Sequence, residues 1–431
     1  MKQPTKVFKF GGASLKDAAA VKNVASILEK FKGQPLMIVV SAMGKTTNAL
    51  ERVNAAHFER NGKAFEYLNA VKQQHYAIMQ ELFEEGDEAF TSVSDTFVEI
   101  EWAIEDDPHE DFDYNYDQIV SVGELVSSKI VGAYLTKMGL PTAWLDARDV
   151  IRTDNLYREA WVDWEITTEN ADRIAKPMVN DQQFVITQGF IGSTSENFTT
   201  TLGREGSDYT AAIFSYCLDA KSMSIWKDVA GVLTADPRLF EHVIKLDRLS
   251  YKEAIEMTYY GAKVIHPKTI KPLQNKNIPL YVKSFIDPEG SGTFISDEVD
   301  ERYPPMVAVE QNQALLHIST RDFSFVAEHH LRYLFQQIAD HRLQVNMMQN
   351  TAISFSICVN DVDKRVEQFS NSIKKEFKTV VQDGLELITV RHFNPQIIES
   401  LKASKMLLLE QRLRKTVQMV VKNVPLMARK V

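Results

Sequence analysis

Short apolar runs separated by polar segments recur along the first two thirds of the chain. They are largely continuous rather than alternating, which is typical of parallel strands that are covered on both faces. Apolar positions at helical spacing between the runs, as from Ile119 to Tyr134, predict amphipathic helices. This alternation predicts a doubly wound, mostly parallel α/β sheet for roughly the first 295 residues. The predicted strands are Val7–Phe10, Leu36–Val40, Phe184–Thr187, Met223–Trp226 and Leu280–Val282.

The pattern changes after a cluster of turn residues at 287–292 and the pair Pro304-Pro305. We therefore predict a first domain at 1–298 and a second at 299–431. The second domain reads βαββαβ, the ferredoxin-like order, over about 312–383, and a shorter version follows at about 384–431. The elements predicted for the longer version are Leu315–Ser319, Glu328–Asp340, Val345–Gln349, Ile353–Val359, Val362–Phe377 and Leu385–Val390. The shorter version reuses Leu385–Val390 and adds Pro395–Ala403, Met406–Leu409 and Thr416–Val421.

Composition excludes several classes of protein. The 431 residues carry a formal net charge of -9, which argues against nucleic acid as a partner, because binding its phosphates requires a basic face. No window approaches 18 uninterrupted apolar residues, so we expect no transmembrane helix, and the charged N-terminus does not resemble a secretory signal. Cys217 and Cys358 lie far apart in apolar segments. They predict buried thiols in a reducing cytoplasm, with neither a disulfide nor a zinc site.

The first candidate site follows the N-terminal strand. Lys9 lies near the end of this strand, Gly11-Gly12 follows it, and a helix is predicted from Asp17 onward. Glycines allow the backbone to approach a ligand closely, and exposed N–H groups at a helix start favour an anion. Lys9 adds a point charge suited to a phosphate. A tight turn without a ligand has the same local pattern.

Two further loops follow predicted strands. Gly44-Lys45-Thr46 superficially resembles a Walker loop, but Val39 stands where that motif requires glycine, which excludes it. The segment Thr199–Asp208 opens onto a helix predicted to begin near Asp208, with Ser207 or Asp208 as its cap. Arg204 could bind a carboxylate in a bidentate manner. An ordinary capped helix would explain this segment as well.

Three remaining features favour structural interpretations when taken alone. Asp236-Pro237 fits a turn, and His266 fits a core histidine beside proline. Two acidic stretches, Glu84–Glu88 and Glu105–Asp113, interrupt the pattern, and the second, with Pro108 and several aromatic residues, reads as a solvated connection between helices rather than as a metal site.

Taken in order, these motifs resemble the aspartate kinase branch of the amino acid kinase family. The resemblance includes Ser121–Leu125 and Val185–Gly192 and extends over essentially the whole chain. It implies transfer of a phosphoryl group from ATP, with Mg²⁺, to the β-carboxylate of L-aspartate. The products would be ADP and 4-phospho-L-aspartate, in the first step of lysine, threonine and methionine biosynthesis. Magnesium would be carried by the ATP phosphates, without a direct protein ligand.

The resemblance also assigns roles to residues. It makes Lys9, Arg204 and Asp208 catalytic. Arg204 and Glu124 would bind the α-carboxylate and the α-ammonium of aspartate. The substrate pocket would consist of Ser41, Thr47, Glu124, Arg204 and Ser207. The nucleotide would be bound by Lys9, Gly11, Gly12, Lys227, Asp228, Leu233, Arg238 and Lys263.

The chain departs from the usual motifs of the family at several positions. Glu205 replaces a glycine and is expected to point outward, Lys227 replaces a threonine, and Leu233 replaces an aromatic residue. Two alternatives are another amino acid kinase of this fold and an amino-acid-sensing protein without catalysis. The second alternative would require the loss of Lys9 or Asp208, and both are present.

The two C-terminal repeats resemble ACT domains, which are small regulatory modules that bind amino acids. The resemblance implies an effector site at Asn346, Asn350 and Thr351, with lysine as the first candidate and threonine as the second. We also predict a homodimer joined through these repeats, because a single ferredoxin-like layer leaves a sheet edge and an apolar face that need to be covered. We expect only one effector site for each first repeat, because the second is abbreviated. No Gly-x-Gly-x-x-Gly segment of a fused dehydrogenase follows residue 300.

Overall fold

A computed structural model describes residues 4–181, 184–262, 265–297, 302–322, 324–362 and 364–423. The chain divides into two compact units. The first consists of residues 1–232, 245–255 and 264–299, and the second of residues 233–244, 256–263 and 300–431. The second unit thus includes two short segments that precede the predicted domain boundary in the sequence.

The described residues before position 300 form ten strands. They are β1 (Lys6–Phe10), β2 (Leu36–Val40), β3 (Thr142–Leu145), β4 (Phe184–Gln188), β5 (Ile191–Ser193), β6 (Thr199–Thr201), β7 (Ser222–Lys227), β8 (Arg248–Ser250), β9 (Leu280–Ser284) and β10 (Thr293–Ser296). The helices are α1 (Ala18–Glu29), α2 (Thr46–Phe58), α3 (Ala64–Leu82), α4 (Glu88–Glu105), α5 (Phe112–Val120), α6 (Val122–Lys137), α7 (Trp164–Asn170), α8 (Lys176–Asp181), α9 (Gly206–Cys217), α10 (Tyr251–Tyr259) and α11 (Pro267–Asn275).

The main sheet of the first unit has the strand order β3-β4-β2-β1-β7-β9-β10-β8. The first six of these strands are parallel to their neighbours, and β10 runs antiparallel to β9. Every residue of β2 and β4 is buried, which explains their continuous apolar sequences. The predicted mostly parallel α/β sheet is confirmed. A separate antiparallel ribbon joins β5 and β6.

Helices α5 and α6 form one almost continuous helical stretch, Phe112–Lys137. By length and composition alone this stretch could cross a membrane, but 83% of its most apolar window is buried in the protein. Such burial is typical of the core helix of a folded domain. The acidic segment between α4 and α5 connects two helices, as predicted for Glu105–Asp113.

The second unit contains an antiparallel sheet with the strand order β12-β13-β11-β14-β16-β15. Its elements are β11 (Met306–Thr320), α12 (Glu328–Asp340), β12 (Val345–Asn350), β13 (Ser354–Asn360), α13 (Arg365–Ile373), β14 (Phe377–Arg391), α14 (Pro395–Lys402), β15 (Lys405–Arg412) and β16 (Thr416–Asn423). Strands β11 and β14 are both 15 residues long and pair with each other across a register shift near Gln313.

Both ferredoxin-like repeats share these two long strands. The first repeat uses the C-terminal half of β11 and the N-terminal half of β14. The second repeat begins with the C-terminal half of β14, continues through α14, β15 and β16, and is completed by the N-terminal half of β11. In that half, Met306 pairs with Arg391 and Glu310 with Leu387. The second repeat is therefore interleaved with the first and has a fourth strand that the sequence pattern did not reveal.

The predicted helix Val362–Phe377 is too long. Helix α13 ends at Ile373, and Phe377 begins β14. Phe369, Ile373 and Phe377 are four residues apart, which imitates one helical face, and all three side chains lie in the same core. The four-residue spacing of these apolar side chains correctly indicates a shared core, but Phe377 belongs to a strand.

Candidate active site

The carboxyl ends of β1, β2, β4 and β7 meet at one edge of the main sheet. Phe10 pairs with Val40 on one side and with Trp226 on the other, and Val40 pairs with Gln188. The residues that follow this row begin neighbouring loops. Ligands bind at such an edge in open α/β sheets.

Lys9 and Asp208 form a buried ion pair at this edge. Nζ of Lys9, one residue before the end of β1, lies 2.7 Å from Oδ1 of Asp208 in the first turn of α9. The two side chains are only 11% and 4% exposed. A lysine ammonium has three N–H donors, so Lys9 can bind an anion while it keeps its contact with Asp208.

The glycine pair after β1 packs directly against the loop after β2. A Cβ atom on Gly12 would lie 2.8 Å from the carbonyl oxygen of Ala42, and the Gly44 N–H donates to the carbonyl oxygen of Gly12 at 3.0 Å. A Cβ atom on Gly11 would lie 3.3 Å from Nζ of Lys9. The chain then forms a short 3₁₀ turn, and α1 begins only at Ala18. The predicted Gly-Gly turn is thus built for close approach of main chains beside the ammonium group.

Glu124, in the first turn of α6, is a buried carboxyl group near this pair. Its Oε1 accepts from the N–H of Ala42 at 3.4 Å, whereas Oε2 has no hydrogen-bond partner among the described residues. Burial raises the pKa of Glu124 to about 8, against the opposing effects of the hydrogen bond from Ala42 and the charge of Lys9. A carboxyl group with an unused oxygen in such surroundings is suited to bind a cation. The neighbouring loop is fixed by Ser41, whose carbonyl oxygen accepts from Oγ of Ser127 at 2.7 Å.

The start of α9 differs from its prediction. The helix begins at Gly206, and the residue before it is Glu205, in the left-handed conformation with a φ of 55°. Neither Ser207 nor Asp208 is the cap, because both already lie in the first turn. Oε2 of Glu205 is buried and has no hydrogen-bond partner in the part of the chain that the structure describes, so the expected outward orientation is wrong for this oxygen. Arg204 is exposed.

Gly189 follows β4 directly and packs against the first turn of α9. A Cβ atom at this position would lie 2.4 Å from Cβ of Ser207. Sequence analysis included Gly189 in the family resemblance but gave it no role. Only glycine allows the strand end and the helix start to lie this close.

The other predicted residues are more scattered. Thr47 is half-buried in the first turn of α2, Lys227 ends β7, and the exposed Asp228 follows it. Leu233 and Arg238 belong to the second unit. The guanidinium group of Arg238 binds Asp236 in a bidentate manner. Lys263 lies outside the described residues.

Asp117 on α5 was missed by sequence analysis. Its carboxylate accepts three hydrogen bonds, from the backbone N–H and Oγ1 of Thr201 and from the backbone N–H of Arg158. Burial raises the pKa of Asp117 to about 6, although these bonds oppose the shift. Asp117, Ser121 and Glu124 follow helical spacing and form a polar stripe in an otherwise apolar stretch, which was the available signal.

The three predicted effector residues lie on or beside β12 in the second unit. Nδ2 of Asn346 donates to Gln313 and to Asn360, both at 2.8 Å. A ligand could therefore use the N–H₂ group of this amide only by displacing one of these partners. Asn350 is exposed, and Oγ1 of Thr351 bonds to Ser354 in a turn. The effector assignment remains a prediction.

Both cysteines are free and buried, as predicted. Burial raises the pKa of the Cys217 thiol to about 11 and that of the Cys358 thiol to about 12.

Within the described residues, no group of three or more His, Cys, Asp or Glu side chains is arranged to hold a metal ion.

Comparisons with known proteins place this site in context. Residues 4–284 match the sequence model of the Amino acid kinase family. The chain is 33% identical over 367 residues to the lysine-sensitive aspartokinase 3 of Escherichia coli (strain K12), covering 82% of this chain and 78% of that relative. It is 30% identical to the chloroplastic bifunctional aspartokinase/homoserine dehydrogenase 2 of Arabidopsis thaliana, but spans only 42% of that protein's length.

Solved structures of E. coli aspartokinase III are also similar to this chain. The complex with aspartate and ADP, in the R-state, has a TM-score of 0.83 and 28% identity, covering 97% of this chain and 96% of the other. The complex with lysine and aspartate, in the T-state, has a TM-score of 0.81 and 27% identity with the same coverage.

Proposed function

The chain belongs to the amino acid kinase family, and we propose that it is an aspartate kinase. It would transfer the terminal phosphoryl group of ATP to the β-carboxylate of L-aspartate, giving 4-phospho-L-aspartate and ADP. The observation that carries the proposal lies at the carboxyl edge of a parallel sheet. There the buried ion pair Lys9–Asp208 lies near Glu124, whose Oε2 has no hydrogen-bond partner among the described residues. The similarity to an aspartokinase solved with aspartate and ADP supports the choice of substrates.

The proposed reaction requires no general base. The β-carboxylate of aspartate has a pKa of about 3.9 in water and is already a nucleophile at neutral pH. Catalysis then consists of aligning two anions and neutralising charge on the phosphoryl group during its transfer. The site supplies a fixed positive charge on Lys9 and glycine turns that leave room for phosphate oxygens.

On the nucleotide side, Lys9 would donate to the transferring phosphoryl group, while Asp208 fixes the position of its ammonium. Gly11 and Gly12 would bring main-chain groups close to the phosphates. Mg²⁺ bound to phosphate oxygens would supply further neutralisation, and it needs few protein ligands in that arrangement. Lys227, Asp228, Leu233, Arg238 and Lys263 remain proposed contacts of the nucleotide.

On the substrate side, Glu124 would bind the α-ammonium of aspartate and Arg204 its α-carboxylate. The ammonium group would meet an oxygen that has no other partner among the described residues, which compensates for part of the cost of burying Glu124. Ser41, Thr47 and Ser207 would form the walls of the pocket around the carbon chain.

The test of this function is trapping of the product. An acyl phosphate reacts with hydroxylamine, so we expect aspartyl hydroxamate and ADP in equal amounts when ATP, Mg²⁺ and L-aspartate are present. L-Glutamate is the matched control, with one more methylene group, and should give neither product. Hydroxamate formation from glutamate, or ADP release that is independent of any amino acid, would contradict the proposal.

The second unit is proposed to be regulatory, with L-lysine as the first candidate effector and L-threonine as the second. The name of the lysine-sensitive relative and the lysine complex of aspartokinase III support this order. Calorimetry with each amino acid at millimolar concentration tests it. A heat of binding with threonine and none with lysine would reverse the order. No heat of binding with either amino acid would indicate that the second unit has a structural role only.

We also propose a cytoplasmic homodimer joined through the second units. Met348, Ile353, Val380 and Val381 are between 41% and 52% exposed on these repeats, and a partner would cover such apolar groups. Light scattering should give twice the chain mass of 49.1 kDa. A mass equal to one chain at micromolar concentration would contradict the dimer.

A further inference from the structure

Asp117 is a completely buried acid whose hydrogen bonds all go to two segments near the candidate site. Oδ2 accepts from the N–H of Thr201 at 2.8 Å and from the N–H of Arg158 at 3.0 Å, and Oδ1 accepts from Oγ1 of Thr201 at 2.7 Å. A buried carboxylate is costly unless its oxygens are bonded, and these bonds compensate for that cost. Neither Thr201 nor Arg158 is among the residues proposed to bind aspartate or ATP.

The two segments bonded to Asp117 are also bonded to each other. The N–H of Ala160 donates to the carbonyl oxygen of Thr201 at 3.0 Å, and the next residue, Leu202, donates to the carbonyl oxygen of Phe190 at 2.8 Å. Both main-chain groups of Thr201 are thus fixed. The chain immediately before the loop at residues 203–205, which carries Arg204, therefore has a defined position and direction.

That direction determines the course of the loop. Gly203 has a φ of +76°, and a Cβ atom there would lie 3.2 Å from the carbonyl oxygen of Arg158 and 3.3 Å from Cγ of Glu159. The loop therefore turns against the same 158–160 segment that Asp117 binds. Arg204 is the next residue, and α9 begins two residues later.

We propose that Asp117 is a positioning residue for substrate binding, which holds Thr201 and Arg158 together and thereby fixes the loop that carries Arg204. This inference rests on the proposed function, in which Arg204 binds the α-carboxylate of aspartate. Asp117 touches no reacting atom. Its effect on the reaction passes through the main chain of residues 201–203.

Asp117→Asn tests the inference, because asparagine has nearly the same shape but replaces one acceptor oxygen by an N–H₂ group. In one orientation of the amide this group would face the N–H donors of Thr201 and Arg158, and in the other it would replace the oxygen that now accepts from Oγ1 of Thr201. We expect the KM for aspartate to rise about tenfold, with the KM for ATP changing less than about twofold. A residue that merely stabilised the fold would change both constants, or only the unfolding midpoint.

A double-mutant cycle with Arg204→Ala gives the sharper readout. If Asp117 acts through Arg204, Asp117→Asn should raise the KM for aspartate in the wild-type background and have little further effect in Arg204→Ala. Additive effects of the two changes would overturn the inference. If Arg204→Ala itself leaves the KM for aspartate unchanged, the assigned role of Arg204 fails instead, and the two failures are distinguishable.

Asp113→Asn is the matched control. Asp113 lies on the same helix and binds Arg158 through the guanidinium group at 3.1 Å rather than through the backbone. Its loss should leave both KM values unchanged, and an equal rise of the aspartate KM would overturn the inference. If Asp117→Asn does not fold, Thr201→Val removes a single bond to Oδ1 and should raise the same KM about fivefold. No rise in that variant would overturn the inference.

Discussion

The two sheets of this protein use buried polar side chains in opposite ways. At the edge of the parallel sheet, Lys9, Asp208 and Glu124 are buried with hydrogen-bonding capacity left over. In the antiparallel sheet, Gln313 is 1% exposed and bonded to both Asn346 and Asn360. Both sets cost free energy to bury. Unused hydrogen-bonding capacity, rather than burial alone, therefore distinguishes the candidate site from this network.

Strand direction explains part of this contrast. Parallel strands end at the same edge, so the residues after several strands converge although they are far apart in sequence. Antiparallel strands end at alternate edges. Their polar side chains can then bond to one another within the sheet, as Asn346 on β12 and Gln313 on β11 do across the intervening strand β13.

The largest effect should come from removing the charge at the parallel edge. Lys9→Met should lower kcat by about 10²–10³, equivalent to about 3–4 kcal/mol, because a fixed charge aimed at the phosphoryl group is lost. Steady-state ADP release measures it. Lys6→Met, at the other end of β1, is the control and should retain normal turnover.

Loss of Lys9 also leaves Asp208 buried without its partner, which lowers the free energy of unfolding. Adding Asp208→Asn to Lys9→Met removes that charge and should recover stability but not turnover. Recovery of turnover in the double variant would show that Lys9 has only a structural role.

A smaller effect is expected from Gly189→Ala. The added methyl group would overlap Ser207 and displace the start of α9, which should cost about 2 kcal/mol of unfolding free energy and reduce turnover. Gly384→Ala in the second unit is the matched control. Its Cβ atom would have no heavy atom within 4 Å, and its φ of +64° should cost about 1 kcal/mol without any effect on turnover. An equal loss of turnover in Gly189→Ala and Gly384→Ala would contradict the proposed difference between the two sheets.

In the antiparallel sheet we expect stability to change while kinetics do not. Gln313→Met preserves the volume but removes the acceptor for Asn346 and the donor to Asn360, at a cost of about 1–2 kcal/mol. Urea unfolding measures the loss. A changed KM for aspartate without effector present would contradict a purely architectural role for this network.

The last prediction is a pH dependence, which needs no substitution. Because the pKa of Glu124 is raised to about 8, the carboxyl group is mostly neutral in the free protein at pH 7 and must lose its proton to bind an ammonium. The KM for aspartate should therefore fall as pH rises from 6 to 8, approaching tenfold, or about 1.4 kcal/mol, for each pH unit. Glu124→Gln should flatten this profile, and the KM for ATP, measured in parallel, should not follow it.

Sequence analysis predicted the parallel sheet and the loops at its edge because both depend on local patterns. Lys9, Gly11 and Gly12 lie within one strand and one turn, and their spacing is sufficient to predict where they lie. The start of α9 was mispredicted because capping preferences favour Ser207 or Asp208. The chain instead adopts a left-handed residue at Glu205, an uncommon conformation for a side chain other than glycine.

Long-range pairings could not be predicted in this way. Asp117 bonds to Thr201 and Arg158, which are distant from it in sequence, and nothing in the local pattern connects them to it. Leu233 and Arg238 follow a strand of the first unit but pack as part of the second. The pairing of Met306–Glu310 with β14 likewise depends on residues that come much later in the chain.

That last pairing determines the order in which the protein can fold during its synthesis. Met306 is made 85 residues before Arg391, its partner in the sheet, so the first half of β11 lacks its neighbouring strand while the intervening elements form. An open edge can pair with the wrong chain, and chaperones would be needed most in this interval. A chain that stopped between β13 and β14 would lack the closing strand of the first repeat and the opening strand of the second at once.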